Sequence, residues 1–537
     1  MTAMIVAPQP LAVEEGAKVL KQGGNAYDAA LACAFMQFIL DPHSCGVGGY
    51  LLLAHHPAGS EMPQKILDAP ALAGSRATAT MWENQVLGPN PGGWGFFLKD
   101  KVNDNGYQSV CTPGMVRGLK TIHERWCTWK WADLIAPAAE TAEEGFAVGA
   151  HLAGRWKDKP LFYEDSSLFQ KLSVTPDAAK IYLKPDGTAY DEGDLLRNPD
   201  YASTLRRLAH AGADDFYTGE LGDRIAADLA AHGGWVTAQD LTSYAVREDE
   251  PIVTEYRGYT VVTSPAPHGG PTLGAILKIL ERYDIPAMQH NSPEYIYLVS
   301  MAMKAAFADR NRALGDPAFV KVPLEQMLSE SRAAHWRRVI DQGERIDTTR
   351  IQPGSRTTTQ ATVVDHAGNC VSLTHSLGSS SGAITPGLGF MYNNSMINFH
   401  PCAGHPNSIA PRKGRTTGMS PTIVLDGNQP VLVLGAPGAT RIITAVLQVI
   451  LNRLDFGMSV TEAVLAPRFD CQGDMIWCQS RIPEYVCAEV RKKHPIQRTP
   501  DSHGGFALVH AVAVQPETGM LFGAADTGAD GMALLVE

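Results

Sequence analysis

The sequence predicts a layered α/β domain, and three observations predict it. Ala30, Leu31, Cys33, Ala34, Phe35 and Phe38 make one helical segment apolar nearly all round, which suits a helix buried between layers. Two pairs of short hydrophobic runs, 360–365 with 369–374 and 422–425 with 431–434, flank turn residues and read as β-hairpins. The second hairpin leads into a helical pattern at 440–454. Helical layers packed on hydrophobic sheets satisfy all three.

Along the chain, Leu11, Val13, Ala17 and Leu20 form an approximate stripe that Gly23-Gly24 ends. Asn25 caps the next helix, with Asp28 three positions on. The segment 42–49, PHSCGVGG, is a glycine-rich loop running into a strand at Tyr50. Residues from about 80 to 110 are rich in Gly, Asn and Trp and have weak periodicity, so an irregular excursion is expected. Within it, Trp94, Phe96 and Phe97 suit core packing better than a substrate mouth. From 115 to 315 helical patterns alternate with loops, with one strand at 256–263 and a turn-rich stretch at 264–270. The texture changes near 350. Residues 351–357, IQPGSRT, read as an exposed connector before the first hairpin. Ile442, Ala445, Val446, Val449 and Ile450 share one face of the 440–454 helix.

Length and composition narrow the function classes. A chain of 537 residues is either three to four domains or fewer domains around a large shared core. Hydrophobic residues at 45% against 19% charged permit such a core and exclude disorder. The 56 acidic and 45 basic side chains give −11, which argues against a sequence-independent nucleic-acid binder. Nine cysteines, odd in number and without a CxxC pair, do not make a disulfide framework. The first ten residues carry no secretory pattern, and the apolar run 29–40 is shorter than the roughly 20 residues that span a bilayer. A cytoplasmic protein with no membrane and no nucleic-acid partner is expected.

Familiar catalytic signatures are missing: no HExxH, GxxxxGK[ST] or EF-hand loop occurs. His55-His56 lacks further ligands at metal spacing, so neither metal nor cofactor is expected. Gly46–Gly49 has nothing basic after it and reads as a turn, and Cys45 as a structural residue. Two features remain. Thr357-Thr358-Thr359 stands where the connector enters a strand, a place where β-branched residues are also ordinary. Gly435 to Arg441, GAPGATR, joins a strand to a helix N-terminus. Such a loop suits a developing oxyanion, although it also suits a plain βα turn.

The motifs taken together resemble the gamma-glutamyltransferase family of N-terminal-nucleophile hydrolases. They are GGNAYDAA at 23–30, PHSCGVGG at 42–49, TPGMVRGL at 112–119, YRGYTVV at 256–262 and ADR…LGDPAFVKVP at 308–323. TTQATVVDHAGNCVSLT at 358–374, MSPTIV at 419–424, GAPGATRIIT at 435–444 and APRFD at 466–470 follow in order. The resemblance implies an α+β fold, the four-layer αββα sandwich. It also implies a chain that cuts itself between Thr357 and Thr358, leaving a large fragment 1–357 and a small one 358–537 in one intertwined domain. Thr358 would be the nucleophile, its freed α-amine the base, and the backbone N–H groups of Gly438 and Ala439 the oxyanion donors. Ser376 and Thr359 match hydroxyls that accompany the nucleophile. The partners implied are a small amide substrate, water or an amine acceptor, and the two fragments themselves.

Substrate recognition departs from the family pattern. In the stretch 67–82, LDAPALAGSRATATMW, the arginine that holds a glutamyl carboxylate falls on Ala79; Arg76, three residues away, is the nearest substitute. The aspartate that holds the amine becomes Asn398, and a pocket asparagine becomes Gly378. The paired serines become Thr417-Gly418, and a glutamine becomes Ser395. Charge-assisted contacts are each worth about 1.5–3 kcal/mol. Their loss points to an amide of another acyl group, less charged or more apolar. The alternatives are a gamma-glutamyltransferase or glutathione hydrolase with a rebuilt pocket, and a non-catalytic, uncleaved member.

Overall fold

The computed structural model describes residues 2–90, 95–159, 166–348, 357–500, 502–503 and 505–537. The connector reading at 351–356 and Trp94 lie outside them. In chain order the main elements are β1 (Ala3–Ala7), α1 (Pro10–Lys21), α2 (Ala26–Leu40), β2 (Tyr50–His56), β3 (Ile66–Ala69), α3 (Trp131–Glu144) and α4 (Pro199–Ala211). There follow β4 (Arg247–Asp249), β5 (Ile252–Tyr256), β6 (Tyr259–Thr263), α5 (Gly270–Leu280) and α6 (Pro293–Ala313). The C-terminal third adds β7 (Thr359–Val364), β8 (Cys370–Ser376), β9 (Thr422–Asp426), β10 (Gln429–Gly435), α7 (Arg441–Leu454), β11 (His510–Val514), β12 (Leu521–Ala525) and β13 (Met532–Val536).

These strands form two antiparallel sheets, ordered β13-β1-β7-β8-β2-β3-β4 and β12-β11-β10-β9-β6-β5. Strand alternation then decides the layers. One face of the seven-stranded sheet (Ile5, Leu51, Leu53, Ala361, Val363, Leu373) packs on α1 and α2. Its other face meets the second sheet directly: Met4, Val6, Val364 and Cys370 pack against Ile423, Val433 and Val512. The far face of the second sheet (Val261, Val424, Leu432, Ala511) is covered by α5, α6 and α7. The order is therefore helix, sheet, sheet, helix, the αββα sandwich. Both sheets take strands from either side of Thr358, so the region before 358 and the region after it share one core.

All fifteen residues of α2 are buried, as its all-round apolar pattern requires. Its N-terminus is a capping box: Asn25 accepts from the N–H of Tyr27 and Asp28, while Asp28 accepts from the Asn25 N–H at 2.9 Å. Asp28 also accepts from Thr128 N–H, Thr128 Oγ1 and Trp129 N–H, which fastens a distant loop to the cap. Both C-terminal hairpins form as expected, with Gly427-Asn428 as the turn between β9 and β10. The single strand expected at 256–263 is instead two strands, β5 and β6. Arg257 and Gly258 adopt φ of 54° and 81°, the left-handed pair that closes a tight hairpin. Strand β1, which no sequence signal marked, pairs with β7 and β13 in the middle of the sheet.

Asp28→Ala removes a buried carboxylate that accepts four hydrogen bonds, three of them from the distant 128–129 loop. It is expected to destabilise the protein by about 2–4 kcal/mol in urea or thermal unfolding, with the far-UV spectrum of the folded state unchanged.

Candidate active site

The space between the sheets changes character along its length. The inward residues of the 358–364 segment run Thr358, Gln360, Thr362, Val364, from polar to apolar, and those of β8 run Ser376, Thr374, Ser372, Cys370 in the matching direction. At the polar end every side chain is engaged: Gln360 donates to Ser372 Oγ (2.9 Å), accepts from Thr374 Oγ1 (2.6 Å), and Ser372 Oγ donates to the Leu434 carbonyl (2.8 Å).

At the mouth of this polar end three oxygens form a triangle. Thr358 Oγ1 lies 2.6 Å from the Thr357 carbonyl oxygen and 3.0 Å from Ser376 Oγ, and Ser376 Oγ is 3.0 Å from that same carbonyl oxygen. The Gly378 N–H donates to Ser376 Oγ at 2.8 Å, and Thr357 Oγ1 donates to the Gly378 carbonyl. Thr357, Thr358 and Ser376 are all buried, Thr358 at 7% exposure. A hydroxyl held against the carbonyl of its own preceding peptide, with a second hydroxyl on both, is the arrangement an N-to-O acyl shift needs.

Thr359 does not join them. As the next residue of a strand it points to the opposite face, where it accepts from Gln37 Nε2 (2.8 Å) and donates to Gln9 Oε1 (3.3 Å). Gln37 in turn bonds His375 Nε2 at 2.8 Å. Burial pushes the His375 pKa down to about 3, so the imidazole stays neutral beneath the site.

The loop 435–440 lies over the same end of the sheets, because Gly435 closes β10 directly against the Gln360 side chain. Gly438 and Ala439 have φ of 138° and 60°. The loop is backed by residues 507–508: Leu508 N–H donates to the Pro437 carbonyl at 3.0 Å, and a Cβ on Gly438 would stand 2.4 Å from Ala507 Cβ. Ala507 is held by Arg468, whose guanidinium makes a buried ion pair with Asp526 at 2.6 Å. The Thr417-Gly418 loop abuts this one closely; a Cβ on Gly418 would fall 2.1 Å from the Ala439 carbonyl oxygen, so no serine fits there as the loops stand.

Thr417 is engaged rather than free. Its Oγ1 lies 2.9 Å from His268 Nδ1 and accepts from the Met419 N–H, and His268 Nε2 lies 2.9 Å from Asp68 Oδ2. The fully buried Arg310 donates to the carbonyls of Thr417 (2.7 Å) and His268 (3.2 Å), and burial lowers its pKa to about 9. Ser395 and Asn398 sit on a buried 3₁₀ turn tied to the site by Asn394 N–H, which donates to the Leu377 carbonyl. Among the described residues, Ser395 Oγ and Asn398 Oδ1 have no hydrogen-bond partner.

Arg76 is absent from the site. The 74–76 segment is drawn to another part of the surface, where Ser75 donates twice to Asp240 and the exposed Arg76 reaches the Gly234 carbonyl. Sequence reasoning also missed four site residues: Tyr50, paired directly opposite Ser376, with Asp68, His268 and Arg415. Of the basic residues just before TTGMSPT, Arg412 pairs with Asp240 and Lys413 donates to the Pro406 and Ser408 carbonyls, while Arg415 lies over the Tyr50 ring. Cys45 is structural, its thiol donating to the Gln37 carbonyl, and His55 Nδ1 is bonded to Tyr27 Oη at 2.8 Å.

With this geometry in place, similarity to known proteins is decisive. Residues 12–536 match the family model for gamma-glutamyltranspeptidase. The chain belongs to this family. It is 35% identical to the acylase ACY 1 proenzyme of Pseudomonas sp. (strain V22), over 98% of this chain and 92% of that protein. It is 31% identical to the glutathione hydrolase proenzyme of Bacillus subtilis (strain 168), over 99% and 91%. Its fold matches the cephalosporin acylase of Bacillus halodurans with a TM-score of 0.88 at 27% identity, over 99% and 95% of the two chains. It is thus an enzyme of the N-terminal-nucleophile hydrolase type. Among the described residues, no helix is long and apolar enough to cross a membrane.

Two outcomes follow from the site's construction. Ala439 occupies left-handed backbone, which costs a residue with a Cβ roughly 1–2 kcal/mol. Ala439→Gly should therefore raise unfolding stability by about 1 kcal/mol. The second concerns acid. A histidine whose folded pKa is about 3 and whose ordinary value is 6.5 favours the unfolded state once the unfolded imidazole protonates. Stability should fall as pH drops below about 6.5, and His375→Gln, which keeps a partner for Gln37, should flatten that limb in pH-dependent unfolding.

Proposed function

We propose that the protein is a self-processing amide hydrolase whose nucleophile is Thr358. The observation that carries this reading is the triangle of Thr358 Oγ1, Ser376 Oγ and the Thr357 carbonyl. Thr358 Oγ1 adds to the Thr357 carbonyl carbon while its proton passes to Ser376, which relays a proton to the departing nitrogen. The Thr357–Thr358 C–N bond breaks, leaving an ester on Thr358 Oγ1 and a free α-amine. Water hydrolyses the ester, giving fragments 1–357 and 358–537. The arrangement of strands supports the halves staying together: β1 lies between β7 and β13 in one sheet and β6 pairs with β9 in the other, so each sheet is hydrogen-bonded across the cut.

Catalysis then uses the freed amine, whose unperturbed pKa of about 7.7–8.0 suits a general base near neutrality. It takes the Thr358 hydroxyl proton as the oxygen adds to a substrate amide. Backbone N–H groups of Gly438 and Ala439 bind the oxyanion, and the proton leaves with the amine product. Water, activated by the same amine, releases the acid from the acyl-enzyme; an amine acceptor in place of water gives transfer.

The acyl group is not gamma-glutamyl in this reading. Arg76 is at the surface, and Asn398 offers an amide where an ammonium needs a carboxylate. Freshly folded wild-type protein is expected to resolve into two bands on a denaturing gel, the smaller beginning at Thr358 by N-terminal sequencing. Thr358→Ala should remain one band and release no amine from an anilide panel, and Ser376→Ala should slow cleavage by about 10²-fold or more. A wild-type chain that stays intact, or a Thr358→Ala variant that still cleaves, rejects the reading.

A further inference from the structure

A lysine is seldom fully buried, because a charge taken out of water is stable only among partners placed around it. Lys171 ends the short helical turn Leu168–Lys171 and is 1% exposed. Its ammonium has four acceptors around it: Asp104 Oδ1 (2.5 Å), the Asp104 carbonyl (3.2 Å), Ser379 Oγ (3.0 Å) and the Ser380 carbonyl (2.8 Å). Burial by itself would raise the Asp104 pKa. The Lys171 charge and the hydrogen bonds from Lys171 and Asn394 bring it below the ordinary carboxylate value, so the pair is ionic. Asp104 belongs to the irregular stretch before residue 110, and Ser379 and Ser380 to the loop after β8. Three segments distant in sequence therefore meet at one ammonium.

The loop that receives the lysine is the one that grips the cleavage site. It reads GSSSG at 378–382, with no apolar side chain to pack. Gly378, Ser380 and Gly382 all adopt left-handed backbone, with φ of 78°, 54° and 72°. At Ser380 the Cβ makes that conformation unfavourable, so it must be held from outside the loop. Lys171 holds it at the Ser380 carbonyl and at the neighbouring Ser379 hydroxyl. Close approach reinforces the contact, since a Cβ on Gly382 would stand 2.4 Å from the Lys171 carbonyl oxygen. Asn394 completes the clamp: it donates to Asp104 Oδ1 and to Ser379 Oγ at 2.8 Å each and accepts from the Ser379 N–H at 2.9 Å. At the near end of the loop the Gly378 N–H donates to Ser376 Oγ, and the Gly378 carbonyl accepts from Thr357 Oγ1. One glycine thus sets both the hydroxyl beside the scissile peptide and the residue that carries its carbonyl.

We propose that Lys171 is a positioning residue for the cut between Thr357 and Thr358, fixing the 378–382 loop so that Gly378 holds Ser376 and Thr357 against the Thr358 hydroxyl. Its action runs through Ser379, Ser380 and Gly378. This rests on the reading of Thr358 as nucleophile, and it adds an order of events. The cleavage geometry exists only once Asp104 and Lys171 have docked on the loop, so folding of the region before 358 precedes the cut.

The test follows conversion of the 537-residue chain into its fragments after a pulse of cell-free synthesis. Tm is read on the same variants carrying Thr358→Ala, so that every chain compared is whole. Lys171→Met should slow cleavage about 10- to 100-fold and lower Tm, since it leaves Asp104 buried without its cation. Lys171→Met/Asp104→Asn leaves neither charge unpaired and keeps an Oδ1 for the Asn394 amide. Its Tm should return to within about 3 °C of the parent. Its cleavage should stay at least about 10-fold slow, because the Ser379 and Ser380 acceptors still lack the ammonium. An ion pair that merely held the fold would give cleavage that recovers alongside Tm. Cleavage that tracks Tm across the variants, or undiminished cleavage in Lys171→Met, overturns the proposal and makes Lys171 a core residue. Should Lys171→Met not fold, the double variant decides by the same criterion. A wild-type chain that stays whole rejects the nucleophile reading and this one with it; a wild-type chain that cuts while the lysine variants keep pace rejects this one only.

Discussion

The site depends on one constraint: two sheets packed face to face must fill the space between them, and here they fill it differently at the two ends. Where Val364, Cys370, Val433 and Val512 meet, the filling is apolar and needs no partners. Toward Thr358 the inward positions are Gln360, Ser372, Thr374 and Ser376, and each must find a hydrogen bond inside the protein. They find them across strands and across sheets, which fixes both the register and the rotamers. The Thr358 hydroxyl is the last member of that network. Its closeness to its own peptide carbonyl is a consequence of strand geometry with little freedom left to lose.

The surrounding loops hold by close backbone approach. Gly435 has no room for a side chain beside Gln360, Gly438 none beside Ala507, and Gly418 none beside the Ala439 carbonyl. Three loops distant in sequence, at 417–418, 435–440 and 507–508, thereby meet as bare backbone. Ala439 is the exception in that set, carrying a Cβ in left-handed backbone at a conformational cost. Arg468 with Asp526, and Arg310 with the carbonyls of His268 and Thr417, fasten these loops from behind using buried guanidinium groups.

Legibility in the sequence followed the range of the interactions. Helix α2 was readable because its cap and its all-round apolar pattern are local, and the two C-terminal hairpins because their turn residues lie between the strands they join. Strand β1 was not, since five residues in AMIVA pair only with partners more than 350 positions away. The 256–263 segment read as one strand because Arg257 is an unusual residue for left-handed backbone, so the turn lacked its customary signal. Within the site, Thr357, Thr358, Ser376 and Gly378 were named through the resemblance to the family, since a threonine run entering a strand is ordinary by itself. Assigning Thr359 beside them overlooked the twofold alternation that sends it to Gln9 and Gln37. Arg76 was chosen by sequence proximity, whereas Asp240 draws its segment away from the site.

Charge, in the end, distinguishes this pocket. A site for a zwitterionic acyl group needs a cation and an anion held a fixed distance apart, each kept from pairing with the other. Here the anionic side chains near the pocket are already spent: Asp68 on His268, Asp316 on Arg247 and the Gly414 N–H, Asp526 on Arg468. On the buried 395–398 turn, the Ser395 hydroxyl and the Asn398 amide oxygen have no hydrogen-bond partner among the described residues. Leaving Arg415 without a hydrogen-bond partner among the described residues in such surroundings costs folding energy that a well-packed apolar residue would not.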